Sequence, residues 1–305
     1  MKPIKHIIFD FDGTCTQIPV VYEAFSEAYR ENFSTQVQKL DPAYQVSGAD
    51  LCAVTKEEWA AAEDAVRSRS PAEGWSVGTT PSAPIASDPY IFADETAKLI
   101  CRQRKIKLPA TVALHSDVYK KASAPWRNET LQVLKTITDK GIKIHFVSNS
   151  SSEYVTGRLD KLLEGDPNTR ANVDVFSDAG KFLIKEPDWG TEGDLPGDLR
   201  ERFDEVPVSE SACPYFARPT YLRRGRYYEA LCRALGNDLS AFEKTLVCGD
   251  VWELDLSLPC QLGMQLHLIH REAPFDTYPY EFGRIRQCGA QAGHSKDLTG
   301  LLARL

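Results

Sequence analysis

The chain has 305 residues, 42% apolar and 26% charged, a globular balance with length for about two average domains. Acidic side chains outnumber basic ones by 43 to 36, and a net charge of −7 does not attract phosphate backbones, so nucleic-acid binding is not expected. No stretch approaches the roughly 20 apolar residues that span a bilayer. Met1 to His6 lead into a short apolar run with no signal-peptide h-region, so the expected location is cytoplasmic, without a membrane partner. The 8 cysteines never show Cys-x-x-Cys spacing, and several lie within apolar runs; they read as reduced, mostly buried thiols.

In chain order, Ile7-Ile8-Phe9 is a short apolar run ending at Asp10. Helical patterns follow over Val20 to Phe33, Lys56 to Arg69 and Phe92 to Arg104, the last two separated by a Pro/Gly/Ser-rich loop from Ser70 to Ser87. Leu131, Leu134 and Ile137 recur at helical spacing before Gly141, a fitting C′ glycine. A second apolar run, Ile142 to Val147, ends at Ser148. Ser150-x-x-Glu153 then fits a capping box, with Val155, Leu159 and Leu162 on one face of the next helix. The run Val173 to Phe176 precedes a loop-like stretch, Gly190 to Gly197. Tyr227, Leu231 and Leu235 stripe a helix that stops near Gly236. Two further runs, Thr245 to Cys248 before Gly249-Asp250, and Gln265 to Ile269, complete the pattern.

Short continuous apolar runs suit strands covered on both faces. Alternating with helices, they give βαβ units and an α/β fold with a doubly wound, mostly parallel sheet. Its site is expected at the carboxyl ends of the strands. One crossover needs about 30 residues, and the stretch from Asp12 to Ser148 exceeds that by roughly 100. Residues 17–115 are therefore predicted to form an inserted, mainly helical domain, and 1–16 plus 116–305 the core.

The strand ends carry the chemistry. In Asp10-Phe11-Asp12-Gly13-Thr14, two carboxylates spaced i, i+2 can both face the crevice as the strand opens into a loop. One suits a nucleophile and the other a proton carrier. The competing reading, an EF-hand, fails: Cys15 stands at its glycine position and Val21 at its glutamate. Ser148-Asn149-Ser150 offers hydroxyl and helix-start groups that suit phosphate oxygens, although serines there are commonly plain caps. Gly249-Asp250-Val-Trp-Glu-Leu-Asp255 offers carboxylates for a hard cation such as Mg²⁺.

In this order the three motifs resemble those of the haloacid dehalogenase-like (HAD) hydrolase superfamily: a strand before Asp-x-Asp-Gly-Thr, a strand ending in Ser148, and Gly-Asp-x-x-x-x-Asp at Gly249 to Asp255. The resemblance covers the core and implies a Rossmann-like HAD fold and a role for each matched position. Asp10 would be the nucleophile that forms an aspartyl-phosphate, and Asp12 the general acid/base. Ser148, with Asn149, would bind the phosphoryl group. Mg²⁺ would be held by Asp10, Asp250 and the Asp12 carbonyl, with Asp255 supporting. The implied reaction is Mg²⁺-dependent hydrolysis of a small phosphomonoester, with the insertion as a cap. A phosphomutase, or an inactive phosphate- or metal-binding regulator on the same fold, is the alternative. The carboxylate Asp12 disfavours dehalogenase and phosphonatase chemistry, whose relatives lack it.

The family's third motif is a basic residue, usually Lys, and here it is open. Arg218-Pro219 stands before the Tyr227–Leu235 helix as Lys-Pro does in many relatives, and Arg218 is preferred. Lys181 and Lys185 are rivals. Arg223, Arg224 and Arg226 form a further basic cluster, equally readable as a solvated helix start. Cys15, where relatives carry Leu, reads as a small packing residue. Trp59, Trp75 and Tyr90 are candidate substrate contacts within the insertion, although aromatic residues there are more often core. His145 and His267 read as core groups, and His270-Arg271 ends a strand near the site. Oligomeric state and substrate identity have no signal in the sequence.

Overall fold

The computed structural model describes residues 2–40, 47–77, 79–108, 118, 123–188, 195–210 and 218–305. In chain order these form β1 (His6–Phe9), α1 (Ile18–Gln38), α2 (Lys56–Arg69), β2 (Gly74–Trp75), β3 (Ala83–Pro84), α3 (Pro89–Gln103), α4 (Thr130–Asp139), β4 (Lys143–Val147), α5 (Ser152–Leu162), α6 (Pro167–Ala171) and β5 (Val173–Phe176). They continue with α7 (Gly197–Asp204), β6 (Ser209–Glu210), β7 (Thr220–Tyr221), α8 (Gly225–Ala234) and β8 (Thr245–Gly249). A π-helical turn over Trp252–Leu256 leads into α9 (Ser257–Gln261), and β9 (Gln265–Ile269), α10 (Pro279–Gln287) and β10 (Ala292–Ser295) follow.

The main sheet is parallel and ordered β10-β9-β8-β1-β4-β5. Its four central strands, β9, β8, β1 and β4, are buried on both faces because helices cover both. Ile8, Val147, Val247 and Leu266 pack with α8, α9 and α10 on one face. Ile7, Phe9, Ile144, Phe146 and Leu246 pack with α4 and α5 on the other. The chain leaves β1 toward β4 and β5, then returns to the opposite side of β1 for β8. β1 is thus the switch point, where a crevice opens beyond the carboxyl ends.

The predicted α/β sheet is therefore present, and the strand from Gln265 to Ile269 has the predicted bounds. The edge strand β10 had no signal, because Ala-Gly-His-Ser lacks an apolar run and stays partly exposed. The loop expected from Ser70 to Ser87 is corrected in part: Gly74–Trp75 and Ala83–Pro84 pair antiparallel within it.

Between β1 and β4, helices α1, α2 and α3 share a cluster of their own, including Phe25, Tyr29, Phe33, Trp59, Ala97 and Ile100. Trp59 is therefore core, its indole N–H donating to the Ser26 hydroxyl at 2.9 Å. The chain enters and leaves this region side by side: Thr16 bridges Trp126, and the Gln17 amide donates to the Pro125 carbonyl at 2.8 Å. The boundary expected near residue 115 lies outside the described residues.

Cys15, Cys232 and Cys248 are buried, whereas Cys52 is exposed, so burial does not hold for every thiol; Cys213 lies outside the described residues. His145 and His267 are core residues, as expected. Burial is the main cause that pushes their pKa values down, to about 4 and about 3. A histidine kept neutral by the fold loses stability as pH falls from its unfolded value toward its folded one. Urea unfolding is expected to lose about 2 kcal/mol per histidine between pH 7 and pH 5. The double variant His145→Gln/His267→Gln should flatten that slope; an unchanged slope overturns the expectation.

Candidate active site

Phe9 lies in register with Phe146 on one side and Cys248 on the other, so the chain leaves β1, β4 and β8 at one level. Asp10 stands just beyond, its amide held by the Cys248 carbonyl at 2.9 Å. Gly13 then turns with φ +84°, and a Cβ there would lie 2.4 Å from Asp250 Oδ2. Only glycine tolerates both the backbone and the approach. A Cβ on Gly249 would likewise fall 2.3 Å from that of Asp255. Gly13 thus lets the two Asp loops press together, and Gly249 lets the second loop fold back closely on itself. Thr14 Oγ1 lies between them, 3.1 Å from Asp10 Oδ2 and 3.2 Å from Asp250 Oδ1. Arg127 secures the first loop from outside, donating to the Gly13 and Thr14 carbonyls at 2.9 Å each.

The fourth wall comes from the loop after β5, which pairs with β4. The Ser148 carbonyl accepts from the Ala179 amide at 2.9 Å, and Asn149 Oδ1 from the Lys181 amide at 2.8 Å. Buried Arg224 donates to the Lys181 carbonyl and, at 2.6 Å, to the Ser82 carbonyl. So placed, Lys181 Nζ reaches Asp10 Oδ1 at 2.7 Å and Asp255 Oδ1 at 2.9 Å, with 1% of its side chain exposed. The other Asp255 oxygen accepts from the Val251 amide at 3.0 Å. Asp12 Oδ2 accepts from the Ser150 hydroxyl at 2.5 Å. Ser150 is therefore not the helix cap the sequence suggests; Ser151 caps α5.

Charge is concentrated here. Burial, with repulsion from Asp255 and Asp12, raises the Asp10 pKa to about 7 against the pull of Lys181. Burial, then Asp255 and Asp10, push Asp250 well above the carboxylate range. Burial works against the charge on Lys181, but Asp10 and Asp255 outweigh it and raise its pKa. One ammonium serves carboxylates on two residues, and Asp250 adds a third. Oxygen atoms of Asp10, Asp250 and Asp255 lie within 4.8 Å of one another. Hard, crowded and under-neutralised oxygens fit a hard divalent cation.

A cavity of about 450 Å³ opens over this cluster, reached by Asp10, Asp12, Ser148, Asn149, Asp250 and Asp255. Trp75 and Tyr90 from the region between β1 and β4 also line it.

No protein-family model matches the sequence, and no curated protein does. Solved structures do match. A protein described as a predicted phosphoglycolate phosphatase from Haemophilus somnus 129PT aligns over 99% of this chain and 98% of its own, at 12% identity and TM-score 0.50. The two chains share one fold. A HAD phosphatase from Thermococcus onnurineus aligns over 98% and 97% at 12% identity and TM-score 0.45. A magnesium-bound HAD-type hydrolase from Bacillus subtilis covers 99% and 98% at 9% identity and TM-score 0.44.

Within this fold, one sequence assignment needs correcting. Lys181, not Arg218, stands against Asp10. Arg218 forks onto buried Glu253 at 2.8 and 2.6 Å and donates to the Pro71 carbonyl at 3.1 Å. Lys185 is exposed, its carbonyl accepting from the Gly225 amide. Of the basic cluster, Arg223 pairs with Glu186 and Asp204, and Arg226 is exposed. Cys15 is buried, and burial is the main cause that raises its pKa, so it packs as expected. His270 bonds His294 at 2.9 Å. Its neighbour Arg271 carries more weight than the sequence suggested. It pairs with buried Glu281 and donates to the Asp250 carbonyl, while Glu281 accepts from the Trp252 amide at 2.9 Å. No local pattern announces that pair. Among the described residues, no helix is long and apolar enough to cross a membrane.

Proposed function

We propose that this chain is a Mg²⁺-dependent phosphatase that hydrolyses a small phosphomonoester through an aspartyl-phosphate on Asp10. The observation that carries the reading is the buried contact of Lys181 with Asp10, beside Asp12 and Ser148 at one cavity. Lys181 neutralises Asp10 and offers the incoming phosphate a cation, which weakens the case for an inactive regulator. An Asp10 oxygen attacks phosphorus and the ester P–O bond breaks. Asp12, oriented by Ser150, gives its proton to the departing alkoxide. Asp12 then takes a proton from the water that attacks the phosphoryl group and releases Asp10. Ser148 and Asn149 present a hydroxyl and an amide to the phosphoryl oxygens. Asp10, Asp250 and the Asp12 carbonyl would hold Mg²⁺, with Asp255 in support; the ion would supply charge neutralisation for the phosphate. The helical region, 17–115, acts as the cap, since it contributes Trp75 and Tyr90 to the cavity and so restricts water and substrate shape.

Purified protein is expected to release inorganic phosphate from p-nitrophenyl phosphate with Mg²⁺ and not with EDTA. Release of phosphate rather than an isomerised ester separates a phosphatase from a phosphomutase. Equal release by Asp10→Asn, or none from the wild type across a metabolite panel, would sink the reading.

A further inference from the structure

Behind the Asp250 loop stand two thiols that the steps above do not use. Cys260 lies in α9, the helix that continues from the Asp255 turn, and Cys288 caps the carboxyl end of α10, the helix that carries Glu281. Both are free thiols, and their sulfurs lie 3.3 Å apart, sharing a hydrogen bond. The two helices are tied at further points around them. Gln261, next to Cys260, donates to Glu210 at 3.2 Å, and Arg284, one turn before Cys288, lies 3.5 Å from the same carboxylate group. The Gln291 side chain donates to the Met264 carbonyl at 2.6 Å, joining the turns that follow the two helices. These ties keep the sulfurs together. A disulfide of about 2.05 Å needs them to approach by about 1.2 Å, which side-chain rotation can supply.

The two thiols are not equivalent. Cys288 is half-buried in a stretch whose neighbours Gln287, Gly289 and Ala290 are exposed, whereas Cys260 follows the buried run Ser257 to Pro259. The hydrogen bond they share holds the Cys288 thiol below its ordinary pKa and, with burial, raises that of Cys260. Glu210 raises both and Arg284 lowers both. Cys288 is thus the nucleophile that solvent reaches, and Cys260 the thiol placed to resolve it.

We propose that Cys260 and Cys288 are a modification site, which reacts with a low-molecular-weight disulfide and closes into a reversible bond stapling α9 to α10. The Cys288 thiolate attacks one sulfur of the small disulfide, its S–S bond breaks, and one small thiolate leaves. Cys260 then attacks the Cys288 sulfur of this mixed disulfide and expels the second small thiolate. Each departing thiolate takes up a proton given up by one of the cysteines. Two protein thiols are oxidised, and one small disulfide is reduced to two thiols. The loop so closed contains Arg271 and Glu281, which hold the Asp250 carbonyl and the Trp252 amide. The inference stands apart from the phosphatase reading, since no step uses Asp10.

The test uses the reduced full chain, held with millimolar glutathione disulfide, alkylated and digested without reductant. Mass spectrometry is expected to find Cys260 and Cys288 in one cross-linked peptide, which dithiothreitol separates. Cys260→Ser should stop at a glutathione adduct on Cys288. Cys213, outside the described residues, is the competing partner, and Cys213→Ser should leave the bond unchanged. Closing a long loop of the unfolded chain should raise the Tm of the oxidised protein by about 3–6 °C over the reduced one, a gain that Cys260→Ser should lack. Pairing of either cysteine with Cys213, a lasting glutathione adduct on wild-type Cys288, no reaction at either thiol, or no rise in Tm overturns the inference.

Discussion

Lys181→Met is expected to lower turnover at least about a hundredfold and to destabilise the fold by about 3–5 kcal/mol. Both effects follow from its position, 1% exposed between the carboxylates of Asp10 and Asp255. Methionine fills similar volume but leaves two buried carboxylates without their shared cation. Removing one partner of a buried pair costs far more than the pair contributes, because the remaining charge stays desolvated. The freed carboxylates should then attract a divalent ion more strongly, so the rise in Tm on adding Mg²⁺ should be larger than in the wild type. Arg218→Met is the informative comparison. It strips buried Glu253 of its forked partner and should cost stability, yet turnover should stay within a few-fold of the wild type. Turnover by Lys181→Met within tenfold of the wild type would refute the role given to this lysine.

The misplacement of the basic residue shows what the sequence could and could not display. Asp10, Ser148 and Asp250 were legible because each ends a continuous apolar run, and parallel strands bring such ends together. Lys181 follows β5 by five residues, across a turn set by Asp178 and Gly180 with φ of 52° and 56°. What fixes it are long-range bonds from Asn149 and Arg224, which no spacing rule contains. A clue was available: β5 follows β4 in the chain, so its carboxyl end had to open beside Ser148. Arg218-Pro219 mimicked a familiar dipeptide, but its partner Glu253 lies inside the Gly-Asp motif, where sequence order hides the pairing. The helices between β1 and β4 were readable from periodicity alone, and Lys56–Arg69 has the predicted bounds. The Gly74–Trp75 ladder was not, since two-residue strands carry no period.

Arg271→Met is expected to raise the Mg²⁺ concentration for half-maximal activity about 10- to 100-fold and to cost about 3–5 kcal/mol. Arg271 approaches Asp250 from behind, its guanidinium donating to the Asp250 carbonyl and, at 2.9 Å, to that of Phe275. Glu281, fully buried, accepts from Arg271 and from the amides of Trp252 and Tyr278, each at 2.9 Å. The pair therefore grips the Asp250 loop at two backbone points and sets where its carboxylate points. Stability and positioning can be separated. Replacing both partners, as in Arg271→Met/Glu281→Leu, removes the unpaired charge and should restore much of the stability lost in the single variant. It cannot restore the two backbone anchors, so the weakened Mg²⁺ response should persist in the double variant. A normal Mg²⁺ midpoint in Arg271→Met, measured where circular dichroism shows it folded, would confine the pair to a structural role.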